Sequence, residues 1–170
     1  MTIWLMSVAL TTQAVRDRQK TQTRRAGWRH LKEGDQLALC PKVRGVRRDN
    51  RELITIVDVV SVRRELLRAI TAEDVVAEGF PNLTTADFIT FFCDSHRGVR
   101  PESEITRIEW AYPRLCRQCR CTEYAACTTI TGPCSWRTTY DDNTGICTAC
   151  TAAATTGQLD LSERRGRMGV

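Results

Sequence analysis

The apolar positions fall in short runs broken by polar segments, a pattern that predicts several brief strands and few helices. Residues 3–7 read as a first strand. Ala9 to Arg18 read as a helix, with Val8, Ala14 and Val15 turned inward and Arg16 and Arg18 outward. The next six residues, Lys20-Thr21-Gln22-Thr23-Arg24-Arg25, are polar throughout and β-branched at alternate positions, as in a connection or a short extended segment. Gly34-Asp35 marks a turn, Gln36 to Pro41 a strand, and Lys42 to Arg51 a basic loop around Gly45 at the tip of a hairpin. Leu53 to Val62 is the strongest strand signal, rich in Ile and Val with Asp58 as its one charge. Thr71 with Asp74, and Thr84 with Asp87, have the spacing of capping boxes. They open a helix to Glu78, closed by Gly79, and a second helix whose Phe88, Ile89, Phe91 and Phe92 supply the aromatic core. Ile105 to Tyr112 closes the series as a strand, with Ile108, Trp110 and Tyr112 on one side and Arg107 and Glu109 on the other. The expectation is an α+β fold: a small barrel-like sheet with flanking helices over residues 1–113. A cysteine-rich module follows over 114–150, and the Ala/Thr/Gly-rich, then basic, stretch 151–170 reads as a disordered tail.

Composition narrows the class. With 42% apolar and 26% charged residues, the 170-residue chain is too apolar for a disordered protein. Its longest apolar run, around Ile3-Trp4-Leu5-Met6, is far short of the ~20 residues of a membrane span. No basic residue precedes that run, so it does not read as a signal peptide, and the expected compartment is the cytoplasm. Charge is uneven. Residues 1–50 hold 11 Lys+Arg against 4 Asp+Glu, a balance of +7 that exceeds the +5 of the whole chain. Such a positive face attracts polyanions, nucleic acid first; the plainer alternative is a solvated face with no partner.

Seven of the nine cysteines crowd into the last third, an odd number with no evident export signal, so reduced, metal-binding cysteine is the better reading than a disulfide scaffold. Cys116-x-x-Cys119 and Cys147-x-x-Cys150 are two knuckles suited to a tetrahedral Zn²⁺ held by four thiolates. A segment this poor in apolar residues needs metal to fold, which makes the zinc structural. Cys121, Cys127 and Cys134 are left over. One could replace a member of the four, or several could hold a second metal with bridging thiolates. The Cys-x-x-Cys-x-Cys opening also permits an iron–sulfur cluster.

The order of words along the chain resembles the ASCH domain, a β-barrel relative of the PUA RNA-binding fold. The words are Lys20-Thr21-Gln22-Thr23-Arg24-Arg25, Gly27-Trp28, Leu31-Lys32-Glu33-Gly34-Asp35, Ile70-Thr71-Ala72-Glu73-Asp74, Ala77-Glu78-Gly79-Phe80-Pro81 and Ile105-Thr106-Arg107-Ile108-Glu109. The later words are similar to those of bacteriophage members. The resemblance covers roughly residues 4–112. It implies binding of RNA or a modified nucleobase in a cleft beside the barrel. It also implies, as in small ASCH amidohydrolases that deacetylate N4-acetylcytidine, Lys20 as proton acceptor, Thr23 as nucleophile and Glu78 as proton donor. Glu73 competes with Glu78 for the last role.

The residue chemistry suits that trio. A threonine hydroxyl needs a base to take its proton, and a lysine serves only if burial or neighbouring cations lower its pKa. Arg24 and Arg25 lie close in sequence and could also stabilise an oxyanion or a phosphate. Trp28 could stack on a base or pack as core, and Arg44, Arg47 and Arg48 would hold a nucleic-acid backbone. Two classes of function remain: recognition of RNA or a nucleobase, sharpened to hydrolysis of an N4-acylated cytosine, or a non-catalytic adaptor docking on a protein partner through its zinc module. His30 and His96 have no partner at metal-ligand spacing and are given no role.

Overall fold

In the computed structural model, which describes residues 2–150, the chain divides into two units at Tyr112–Pro113. The stretch 151–170, expected as a disordered tail, lies outside the described residues.

In the first unit five strands form one mixed sheet in the order β1-β3-β4-β5-β2. They are β1 Ile3–Ser7, β2 Gln22–Arg25, β3 Gln36–Cys40, β4 Thr55–Leu66 and β5 Glu104–Ala111. β1 runs parallel to β3 with Leu5 opposite Ala38, and the other pairs are antiparallel. The sheet is open, with β1 and β2 at its edges, where the sequence suggested a closed barrel. A side chain spans the gap instead of a ladder: Arg25 donates from Nη2 to the Ser7 carbonyl at 2.8 Å.

The expected first helix is shorter than its pattern. A 3₁₀ turn over Ala9–Thr11 leads into α1, Thr12–Arg16, and Arg18 adopts a left-handed backbone (φ 59°) that ends it. β4 extends to Leu66, past the expected end at Val62, because its polar end finds cross-strand partners: Arg64 pairs with Glu104 at 2.8 Å. Both capping boxes form. Thr71 opens α2, Ala72–Ala77, and Thr84 opens α3, Thr85–Ser95, each accepting from the backbone N–H three residues on.

Two apolar clusters result. One joins Met6, Val15, Leu37, Leu39, Val57, Ile108 and Trp110; the other joins Leu67, Ile70, Val75, Phe88, Phe92 and Ile105. Gly79 follows α2 with φ 86°, and a Cβ there would meet Ala14 Cβ at 3.1 Å and Thr11 Cγ2 at 3.2 Å. Glycine is therefore required twice over, by the backbone turn and by the approach of α1.

The second unit is built from minimal strands. β6 Leu115–Cys116 lies parallel to β10 Thr144–Cys147, which pairs antiparallel with β9 Trp136–Thr139 through a bulge at Ile146/Cys147. β7 Thr128–Thr129 and β8 Gly132–Pro133 form a separate small hairpin. Its buried centre is sulfur: Cys116, Cys121 and Cys147, with Cys127, Cys134, Cys150 and Trp136 packed against them.

Candidate functional site

Lys20 owes its position to backbone pairing on both sides. The Thr21 N–H donates to the Ala77 carbonyl at 2.9 Å, tying the start of β2 to the end of α2, and the Trp110 N–H donates to the Thr21 carbonyl at 3.0 Å. Tyr112 donates its hydroxyl to the Lys20 carbonyl at 2.7 Å. The Lys20 side chain is thereby turned into the fold at 2% exposure, where Nζ lies 3.1 Å from Glu78 Oε2 and 5.8 Å from the centre of the Trp110 ring. Burial pushes the Lys20 ammonium below its ordinary pKa; Glu78 opposes that shift, while Arg25 and Arg24 reinforce it.

Lys20, Thr23, Arg24, Arg25 and Glu78 line one cavity of about 250 Å³. Its other walls are the Ser7–Thr11 segment and an aromatic side formed by Phe80, Phe88, Phe91, Phe92 and His96. Phe88, Phe91, Phe92, Ser95 and His96 recur at helical spacing on one face of α3. That spacing was visible in the sequence, where the phenylalanines read only as core and His96 as idle. His96 stacks on Phe92 (4.2 Å between centroids) and donates from Nδ1 to the Phe92 carbonyl at 2.9 Å.

The two arginines differ sharply. Arg24, with no side-chain exposure, is enclosed by carboxylates: Glu65 at 2.6 Å, Asp74 at 2.7 Å and Glu78 at 3.3 Å. Its donors are consumed within the fold. Asp74 also receives Arg107 at 3.0 Å and the Gln22 amide at 3.0 Å. Burial works to raise the Asp74 pKa, but the Thr71 backbone N–H, Gln22 and Arg24 outweigh it and hold the carboxyl well below the usual carboxylate range. Arg25 lines the same cavity, yet its Nε–H is buried without a hydrogen-bond partner among the described residues. An unpaired buried donor on a residue that lines a cavity is a group a ligand's acceptor atom could satisfy if the side chain turned toward it.

The remaining candidates lie elsewhere. Glu73 is exposed and lines a different hollow. Trp28, with a left-handed backbone (φ 66°), packs partly buried against the first apolar cluster and stacks with His30, 5.6 Å between centroids. It is not among the residues lining the cavity. Arg44, Arg47 and Arg48 are exposed on the β3–β4 loop, with no ion pair among the described residues.

In the second unit, Cys116, Cys119, Cys147 and Cys150 bring their sulfurs within 4.8 Å of one another. Neighbouring sulfurs stand 3.6 Å apart for Cys116–Cys150, Cys119–Cys147 and Cys147–Cys150. Four sulfurs ~2.3 Å from one tetrahedral ion lie about 3.8 Å from each other, so the spacing suits a metal. All nine cysteines are unbridged. Burial works against ionising Cys116, but backbone N–H groups of Cys119, Cys147 and Gln118 aimed at its sulfur bring the thiol down to about 6.

No protein-family model matches the chain, and no curated protein sequence matches it. Among solved structures it is similar to an ASCH domain from Lactobacillus crispatus JV V101, with 11% identity over 65% of this chain and 78% of that one (TM-score 0.48). It is also similar to the hypothetical protein PH0355, with 13% identity over 66% of this chain and 99% of that one (TM-score 0.47). A protein from Enterococcus faecalis V583 shares 13% identity over 66% of this chain and 76% of its own (TM-score 0.46). No helix among the described residues is long and apolar enough to cross a membrane.

Proposed function

We propose that the first unit binds a modified nucleobase in the Lys20–Glu78 cavity and hydrolyses the amide of an N4-acylated cytosine. One observation supports this reading above the rest: a lysine buried to 2% exposure, in contact with a glutamate, lines one cavity together with a threonine and with an arginine whose Nε–H is unsatisfied among the described residues. The cavity is smaller than the ~300–1,000 Å³ of pockets for larger ligands and suits one base-sized group. The aromatic wall offers it a stacking surface.

The chemistry closes on the Lys20–Glu78 pair. With the pair's shared proton on Glu78, neutral Lys20 takes the Thr23 hydroxyl proton as Oγ1 attacks the acyl carbonyl. Arg25 donates to the oxyanion. The C–N bond then breaks, and Glu78 gives its proton to the leaving N4. Water attacks the resulting Thr23 ester. Glu78 takes the proton of that water and Lys20 returns its own to Thr23, so the pair ends as it began. The 3.1 Å contact keeps the acceptor and the donor in one proton-exchanging unit. Arg24 acts through others, fixing Glu78 from the opposite side. Trp28, outside the cavity, serves as packing.

The decisive assay is incubation with N4-acetylcytidine and with RNA carrying it, products being read by mass spectrometry. Turnover should fall as pH rises through the lowered Lys20 pKa, because the working pair holds one proton and its loss leaves Glu78 with none to give to N4. Lys20→Arg should abolish turnover while ligand affinity stays within about tenfold. Thr23→Val should do the same. No turnover by the wild-type protein, or wild-type turnover by Lys20→Arg, overturns the assignment and leaves a binding cleft.

Arg44, Arg47 and Arg48, exposed and without an ion pair among the described residues, favour a second element of the reading, in which the β3–β4 loop holds the phosphate backbone of an RNA. The sulfur cluster of the second unit is read as a structural zinc site: thiolate-only coordination suits Zn²⁺ and leaves no position open for substrate.

A further inference from the structure

The knuckle cysteines do not exhaust the sulfur cluster. A second set, Cys119, Cys121, Cys127 and Cys147, also has all its sulfurs within 4.8 Å of one another. Two of its members, Cys119 and Cys147, belong to the first set as well. Their sulfurs are 3.6 Å apart, a distance that serves as an edge of either tetrahedron. Cys127 extends the second set at 3.5 Å from Cys119.

We propose that this cluster is a binuclear metal centre, with Cys116 and Cys150 terminal on one ion, Cys121 and Cys127 terminal on a second, and Cys119 and Cys147 bridging the two. The proposal rests on the structural-zinc reading and extends it. A single tetrathiolate site would leave Cys121 buried and Cys127 half-buried as spare thiols pressed against coordinated sulfur. Coordinating both as thiolates puts six negative charges on two divalent ions. The net charge is −2, the same as for one ion with four thiolates, so the second ion adds ligands without adding charge. The backbone is arranged for the shared edge. The Cys116 N–H donates to the Cys121 carbonyl at 2.9 Å, folding the first knuckle back so that Cys121 follows it into the cluster. The bulge at Ile146/Cys147 shifts the register where the second bridging sulfur sits.

Cys134 stands outside both sets. Its sulfur lies 3.7 Å from that of Cys121 and accepts the Cys127 backbone N–H at 3.2 Å. It is assigned as a supporting thiol that orients the ligand loop.

The test uses the full chain, purified under reducing conditions and examined by native mass spectrometry and elemental analysis. Two zinc ions per chain are expected. The double variant Cys121→Ser/Cys127→Ser should fall to one, and Cys134→Ser should keep two. Bridging is read in the wild-type chain by cobalt substitution. Thiolate-bridged Co²⁺ ions couple antiferromagnetically, so the electron paramagnetic resonance signal should weaken as the second ion enters. One zinc in the wild-type chain overturns the binuclear centre and leaves the structural zinc standing; no metal at all overturns both. A cobalt signal that doubles on filling, or loss of one ion in Cys134→Ser, overturns the ligand assignment.

Discussion

The two units solve the problem of a stable interior with different materials. Before Pro113, leucine, valine and phenylalanine build two apolar clusters, and Lys20, Gln22, Arg24, Asp74 and Glu78 are buried as a paired polar group. After it, strands of two to four residues surround cysteine sulfur, and no comparable aliphatic cluster exists among the described residues. Hydrophobic burial is additive and tolerates local damage. An interior closed by metal–thiolate bonds, as proposed for the second unit, is lost when its metal is withdrawn. The units should therefore fail under different insults.

The largest expected effect separates them directly. Structural zinc in small domains is worth about 10–16 kcal/mol. A strong chelator at neutral pH should unfold the second unit and leave the first intact. Hydrogen exchange read by mass spectrometry should then show full loss of protection over 114–150 and unchanged protection in β3, β4 and β5. Retained protection over 114–150 in the chelated chain breaks the comparison.

The next effect belongs to the first unit. Arg24→Met keeps the reach of the side chain but leaves Glu65, Asp74 and Glu78 facing a buried gap. It should cost about 3–5 kcal/mol in urea unfolding with metal content unchanged. A cost under about 1 kcal/mol would show that these carboxylates are not held by Arg24.

The smallest effect on stability sharpens the comparison from outside both interiors. Replacing Arg44, Arg47 and Arg48 by Ala should change stability by no more than about 0.5 kcal/mol. On the RNA-backbone role proposed for this loop, the salt dependence of binding to RNA should nonetheless flatten by about one unit of slope per arginine. An unchanged slope removes the loop from the binding surface.

What could be read in the sequence was local. Thr71 with Asp74 and Thr84 with Asp87 carry their capping instructions within four residues, and both helices begin where expected. The strand pattern around Ile56 and Val57 is equally self-contained. Features settled by distant partners were misread or invisible. Arg63, Arg64 and Glu65 look like loop until Glu104 and Arg24 are set beside them. Arg18 carries no signal of the backbone turn that ends α1. In the candidate site, Lys20 and Thr23 stood out as a word, but the enclosure of Arg24 by three carboxylates depends on residues far along the chain. So does the aromatic wall. The short strands of the second unit have too little side-chain pattern to announce themselves.

Gly79 carries a consequence for how this sequence can drift. Every other amino acid at this position must adopt an unfavourable backbone and also displace Thr11 or Ala14. That displacement would not stay local, because Glu78 is the neighbouring residue and its contact with Lys20 depends on where that turn sits. Substitutions in the Gly79 codon are thus screened twice, once as folding defects and once as defects in the Lys20–Glu78 contact. Compensation would need simultaneous change at Thr11 or Ala14, in a segment that also walls the cavity. Descendants of this chain should keep glycine here even where the surrounding helix sequence turns over freely.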